Sequence, residues 1–430
     1  MYIYLRKTLL TKTNLSMPTL TMTDARATGS ASAHSASAAI RPRRVESIDL
    51  LRGTVMIIMC LDHVRDYFHG SAYLYDPTDL SRTSAPIFFT RWITHYCAPI
   101  FVFLAGISAQ LYGAKRSRPE LSFFLLTRGI WLVLAECLIV TLGWTFNPLY
   151  SIIIIQVIWA IGISMIVMSA MIWLDKRLIL ITGILLIFAH NLLDSVHVPG
   201  NGAPSLLWAL VHDRSAFVYG HFTILIGYPI LPWLGIMATG YCFGRWYTPG
   251  YDPEKRKKAL LSLGLGAIAL FILLRAGNFY GESAHWSTQK NALFSLLSFL
   301  RTSKYPPSLL YILMTLGPAL VFLALAEKPL NALTSKIAVF GRVPMFFYLA
   351  HIFLVHALAV GAAVLSGHKW TDMVLTTWVS DQPELKGYGY SLLTVYIVWI
   401  VVIIILYPFC KRFDKYKRAH QAEQKWLSYF

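Results

Sequence analysis

The sequence returns repeatedly to apolar runs of about twenty residues, the length an α-helix needs to cross the hydrocarbon core of a bilayer. Ten such runs lie near 48–68, 90–112, 121–144, 149–173, 177–194, 222–245, 258–276, 306–326, 343–366 and 389–410. Hydrophobic residues make up 56% of the chain and charged residues only 14%, against roughly 25% charged in soluble domains. In lipid every backbone N–H and C=O must find a partner within the protein, which favours helices for spans of this length. The expected fold class is therefore all-α, a polytopic integral membrane bundle of about ten transmembrane helices over residues 46–412.

The net charge of +17 would suit a nucleic-acid ligand if it formed a stripe with interleaved aromatics, and it does not. Basic residues instead gather in alternate gaps between the runs. One set is Lys115, Arg116 and Arg118, followed by Lys176 and Arg177, then Arg245 with Lys255, Arg256, Lys257 and Lys258, then Lys328, Lys336 and Arg342. Lys411, Arg412, Lys415, Lys417 and Arg418 close the series. This alternation fits an even number of spans with both termini cytoplasmic; the gap 277–305, with Lys290, Arg301 and Lys304, is the one that resists it. Residues 1–45, rich in Ser, Ala and Thr, are expected to form a disordered cytoplasmic tail rather than a signal peptide. Residues 413–430 are expected to form a basic cytoplasmic tail. The five cysteines (60, 97, 137, 242 and 410) include no CxxC pair, so neither a metal site nor a disulfide framework is expected.

Ionisable side chains inside spans are expensive and usually face a cavity or a partner. The densest set is LDHVRDYFHG at the end of the first run. Spacings of i, i+3, i+4 and i+7 place Asp62, Arg65, Asp66 and His69 on one helical face, with His63 on its shoulder. Asp62 or Asp66 with Arg65 makes an ordinary ion pair at a helix end, whereas an acid before His69 can orient an imidazole for proton transfer. Other polar groups converge on the same outer end: Arg91 and His95, Trp144 and Asn147, His221 with Tyr228 and Trp233, Lys304 and Tyr305, and His351 and His356. Singly, the aromatics suit an interfacial belt, and His351 or Glu136 suits a helix–helix hydrogen bond. Together they describe an outward-facing polar cavity. Pro229 and Pro232 interrupt the sixth run, and irregular backbone at membrane depth is tolerated mainly beside a cavity or other protein.

Four segments, RVESIDLLRGTVMIIMCLDHVRDYF, APIFVFLAGIS, YPILPWLGIMATGYCFG and FGRVPMFFYLAH, resemble the bacterial relatives of heparan-alpha-glucosaminide N-acetyltransferase, and the likeness extends over nearly the whole chain from about residue 45. The resemblance implies an enzyme of the bacterial inner membrane. It would move an acetyl or other acyl group from cytoplasmic acyl-CoA, a co-substrate, to an amine or hydroxyl on a glycan or envelope component outside. Its catalytic histidine would fall at His69 or His63, oriented by Asp62 or Asp66. Arg65 or Asn147 would stabilise the oxyanion, and Arg128, Arg245 and Arg342 would meet the CoA phosphates. Substrate contacts would come from Arg91, His95, Asn147, Tyr228, Trp233, Lys304, Tyr305, His351 and His356. A thioester needs no metal for this transfer, and none is expected. The expected partners are the bilayer and a small-molecule or glycan acceptor, with a homodimer open and no nucleic acid. Two rival readings remain at this stage: a small-solute or proton-coupled transporter using the same cavity, and a non-catalytic membrane scaffold.

Overall fold

The computed structural model describes residues 45–424 and 426–427. The expected N-terminal tail, up to residue 44, and the last residues of the C-terminal one lie outside the described residues.

The chain opens with α1 (Glu46–Phe68), followed by α2 (Ala85–Thr94) and α3 (Cys97–Gly113). Next, α4 (Arg118–Ala135) passes through a π-helical turn at Glu136–Val140 into the short α5 (Thr141–Thr145). Strand β1 (Ile152–Ile155) leads into α6 (Val157–Met171), and α7 (Lys176–Ala189) and α8 (Ala203–Val211) follow. The hairpin β2 (Ser215–Tyr219) and β3 (Phe222–Ile226) precedes α9 (Ile230–Phe243) and the long α10 (Pro253–Gly277). The remainder is α11 (Ala292–Leu300), α12 (Leu309–Leu325), α13 (Ala332–Arg342), α14 (Pro344–Leu365) and α15 (Leu392–His420). Local signals set several starts. Ser117 and Glu120 form a capping box on α4, Asp252 and Pro253 begin α10, and the Ser308 hydroxyl accepts from the Tyr311 N–H to begin α12.

Each of the ten apolar runs contains a helix, and among the described residues six helical segments are long and apolar enough to cross a membrane: 85–113, 118–145, 176–193, 253–277, 344–365 and 392–420. The helices α6 and α12 are apolar but shorter. Helix α1 carries Glu46, Asp49, Arg52, Asp62, Arg65 and Asp66, charges that lipid would not tolerate. It is instead mostly buried, packed against α3, α13, α14 and α15. Gly53 and Gly341 let α1 and α13 touch backbone to backbone: a Cβ on Gly341 would lie 1.9 Å from the Asp49 carbonyl oxygen.

One expectation is corrected. The fold is mostly helical but not all-α, because the starts of the fourth and sixth runs are strands. β1 pairs in parallel with β3, which pairs antiparallel with β2 through a turn at Gly220, φ +62°. Isoleucine-rich segments at 152–155 and 222–226 suit a strand as well as a helix, and the sheet satisfies their backbone groups mutually. Helix α15 runs on to His420, with Asp414 buried between Arg342 (2.8 Å) and Arg418. The polar gap 277–305 is organised around one buried side chain. The guanidinium of Arg275, 1% exposed, donates to the carbonyls of Ala284 (2.8 Å), Ser298 (2.9 Å), Phe299 (3.0 Å) and Arg301 (2.6 Å).

Candidate active site

The last turns of α1 face a half-open cavity of about 410 Å³. Its floor is Asp62, His63, Arg65 and Asp66. Arg91 of α2, Trp144 of α5, and Ile154 and Gln156 around the end of β1 add to its walls. Tyr228, Lys304 and Tyr305 close one side, and the loop residues Trp378, Ser380 and Asp381 the other. The sheet thus has a purpose in positioning: it brings Ile154, Leu225 and Gly227 to the wall, where a helix would have presented one residue in every turn.

His63 sits at the centre of an ordered pair. Its Nδ1 lies 2.7 Å from Nε2 of His351, and Nδ1 of His351 lies 2.9 Å from the Phe347 carbonyl oxygen. A carbonyl only accepts, so neutral His351 carries its hydrogen on Nδ1 and offers a lone pair at Nε2. His63 must then donate from Nδ1, which leaves its own Nε2 as the acceptor. The Trp144 ring packs edge-on against His63 at 4.8 Å.

The charges beside this pair are tightly partnered. Asp62 binds Arg91 at 2.6 Å and Arg65 at 3.0 Å, and Arg65 also binds Asp66 at 2.5 Å. Arg65 is 3% exposed, and its Nε and Nη1 have no hydrogen-bond partner among the described residues. Two buried guanidinium donors are therefore uncommitted at the cavity. Burial raises the Tyr305 hydroxyl, but the Lys304 and Arg91 cations beside it bring it down to about 8. Among the described residues, no group of three or more His, Cys, Asp or Glu side chains is arranged to hold a metal ion.

The residues singled out from the sequence divide into two groups. Asp62, His63, Arg65, Asp66, Arg91, Tyr228, Lys304 and Tyr305 all line the cavity. His351 stands behind His63, and His95 lines an adjoining lobe. His69 does not join them. Helix α1 ends at Phe68, and His69 is extended (φ −86°, ψ 124°), so the seven-residue spacing no longer returns to the same face. Its Nδ1 instead meets the Ser71 hydroxyl at 2.6 Å.

Asn147 spends its amide on Ser151 (2.6 Å) and the Leu375 carbonyl (3.1 Å), and its Oδ1 accepts from the Leu149 N–H. It builds the turn before β1. His356 is buried with its two ring nitrogens each 2.9 Å from a carbonyl, those of Gly143 and Met373. Trp233 is buried against Tyr228 at 5.1 Å, and His221 is exposed beside the hairpin turn. Of the arginines expected to meet CoA phosphates, Arg342 is held by Asp414. Sequence reasoning did not find Gln156, Arg214, Trp378 or Asp381. They lie outside the main helices, and only the folded loops bring them to the cavity.

A mostly helical integral membrane protein with a buried His–His pair, flanked by partnered acids and guanidiniums, is the class of molecule this geometry defines. The model of one protein family, heparan-alpha-glucosaminide N-acetyltransferase, catalytic, matches residues 44–277, and the chain belongs to that family. The match contains α1 and its polar end, the sheet, and α9. Comparison with curated proteins returned no match.

Proposed function

We propose that this protein is a membrane acyltransferase using cytoplasmic acyl-CoA as donor, with His63 as the general base toward an amine or hydroxyl acceptor outside. About ten crossings with both termini cytoplasmic, in a bacterial inner membrane, would put the cavity on the outer side. The observation that carries the reading is the ordered pair, in which the carbonyl of Phe347 fixes His351, and His351 fixes His63 with a lone pair on Nε2. A base within hydrogen-bond reach of the acceptor speeds proton transfer by roughly 10²–10⁴.

The chemistry balances without a metal. The acceptor nitrogen or oxygen attacks the thioester carbonyl carbon as its proton passes to His63 Nε2. The carbonyl oxygen becomes an oxyanion, facing the uncommitted Nε and Nη1 of Arg65. Collapse breaks the C–S bond, and the CoA thiolate recovers the proton from His63 as free thiol. The products are the acylated acceptor and CoA.

The test is transfer of labelled acetyl from acetyl-CoA to glucosamine by the purified protein in proteoliposomes. His63→Ala is expected to lose roughly 10²–10⁴ of the rate, and His69→Ala, being outside the cavity lining, to stay within about threefold of the parent. Full activity of His63→Ala alongside loss in His69→Ala would reverse the assignment. Acetyl-independent uptake of glucosamine would favour a transporter.

A further inference from the structure

A second lobe of about 230 Å³ adjoins the main cavity, and Asp76, Arg91, Arg214, Lys304 and Tyr305 line both. His95, Glu282 and Arg301 add ionisable side chains to its wall. The charges here do not cancel locally. Arg91 is answered by Asp62 at 2.6 Å, but among the described residues Lys304, Arg214 and Arg301 have no carboxylate in ion-pair contact. Lys304 is only 9% exposed, and its ammonium lies over the rings of Tyr305 (5.2 Å) and Tyr228 (6.0 Å). The Arg214 guanidinium also lies over the Tyr305 ring, at 5.1 Å.

The two acids of the lobe are directed elsewhere. Asp76 Oδ1 accepts the N–H (2.7 Å) and hydroxyl (2.6 Å) of Thr78. Glu282 accepts the Ser303 N–H (2.7 Å), the Ser308 hydroxyl (2.8 Å) and the Ala284 N–H (3.3 Å). Among the described residues, Nδ1 of buried His95 has no hydrogen-bond partner. Lys304, a cation recessed from water with no carboxylate in contact, is unfavourable unless an anion completes the site, and Arg214 and Arg301, though exposed, line the same lobe. Arginine and lysine together match the oxygens of a phosphate, sulfate or carboxylate.

We propose that this lobe is a subsite for an oxyanion borne by the acceptor, held by Lys304, Arg214 and Arg301 beside the His63 pair. The substrate-side part of this inference rests on the acyltransferase reading; the anion site itself does not. Position supports the link, because Arg91 and Lys304 belong to both compartments, so a molecule anchored in the lobe extends its neutral end toward His63. An amine or hydroxyl acceptor carrying a phosphate, sulfate or carboxylate therefore fits better than its uncharged parent.

Two measurements separate the claims. Sulfate titrated against protein in phosphatidylcholine nanodiscs is expected to raise thermal stability, and Lys304→Met to weaken that binding by roughly tenfold or more. Arg214→Gln, at an exposed position, is expected to weaken it with no burden on folding. Absence of a sulfate effect, or a response in both variants as strong as in the parent, overturns the site. In phosphatidylglycerol nanodiscs, loss of the sulfate response would mean that a lipid headgroup phosphate fills the lobe, which overturns the acceptor assignment. Acetyl transfer to glucosamine 6-sulfate is expected to show a KM below that for glucosamine, with the ratio approaching one in Lys304→Met. Sulfate binding with no transfer to either sugar would keep the anion site and refute the acyltransferase reading. Transfer to both sugars with equal KM would refute the subsite and keep the enzyme.

Discussion

Replacing His351 by leucine tests the central argument without touching the cavity wall. The substitution keeps bulk in a fully buried position but removes the acceptor 2.7 Å from His63 Nδ1. An unmade hydrogen bond at a buried donor costs about 1–3 kcal/mol. His63 can escape that cost by moving its hydrogen to Nε2, and this tautomer has no lone pair for the acceptor. If the whole cost falls on the transition state, at 1.36 kcal/mol per tenfold the rate falls about 5- to 150-fold. That is less than loss of the base itself, roughly 10²–10⁴. The two residues act as a unit, so the double variant His63→Ala with His351→Leu is expected to be no slower than His63→Ala alone. His351→Gln, whose amide oxygen can accept from Nδ1, is expected to recover part of the loss. The assay is single-turnover acetyl transfer at saturating acetyl-CoA, with each variant's thermal stability measured in parallel. Wild-type rates in His351→Leu, or a double variant slowed by the product of the two single effects, would refute the relay.

Other consequences follow from the same geometry. Gly341→Ala places a Cβ against the Asp49 carbonyl, backbone that cannot swing aside, and is expected to cost about 1–3 kcal/mol. Gly361→Ala on α14, with no atom within 4 Å of the added carbon, is expected to be neutral or slightly stabilising in the same melting assay. Equal melting points would contradict the α1–α13 contact. Arg275→Met removes the donor to four carbonyls at hydrogen bonds worth about 1.5–3 kcal/mol each. It is expected to open 278–305 to trypsin at Lys290 and Arg301, and unchanged digestion would show that the loop holds without it. Sulfate affinity is expected to be higher below pH 8 and to fall as pH rises through it, because the Tyr305 hydroxyl, drawn to about 8, becomes an anion facing Lys304, Arg91 and Arg214. Tyr228 and Asp62 also face it, so Tyr305→Phe is the control; an inflection near pH 8 that persists in that variant would assign it to another group.

Sequence periodicity located the helices because span length and apolar composition are properties of a segment by itself. It failed at 152–155 and 222–226, where isoleucine-rich residues suit either strand or helix and only the pairing of two distant segments decides. The same distinction separates the legible from the hidden part of the site. Asp62, Arg65 and Asp66 were legible as one face because helical geometry holds through residue 68. His69 was misplaced by extending that geometry a single residue past the helix end. His63 and His351 are 288 positions apart, and spacing carries no trace of their contact. What the sequence did offer was an intramembrane histidine in each of two spans, a costly placement that implies a partner. Arg214, Arg301 and Glu282 give no such signal, since charges in loops are unremarkable until folding gathers them around one cavity. The reason lies in Arg275, whose four backbone bonds close the loop that carries Arg301 and Lys304 to the cavity. A buried arginine near the end of an apolar helix is the feature from which an organised loop follows, because so expensive a charge persists in a fold only where several carbonyls gather around it.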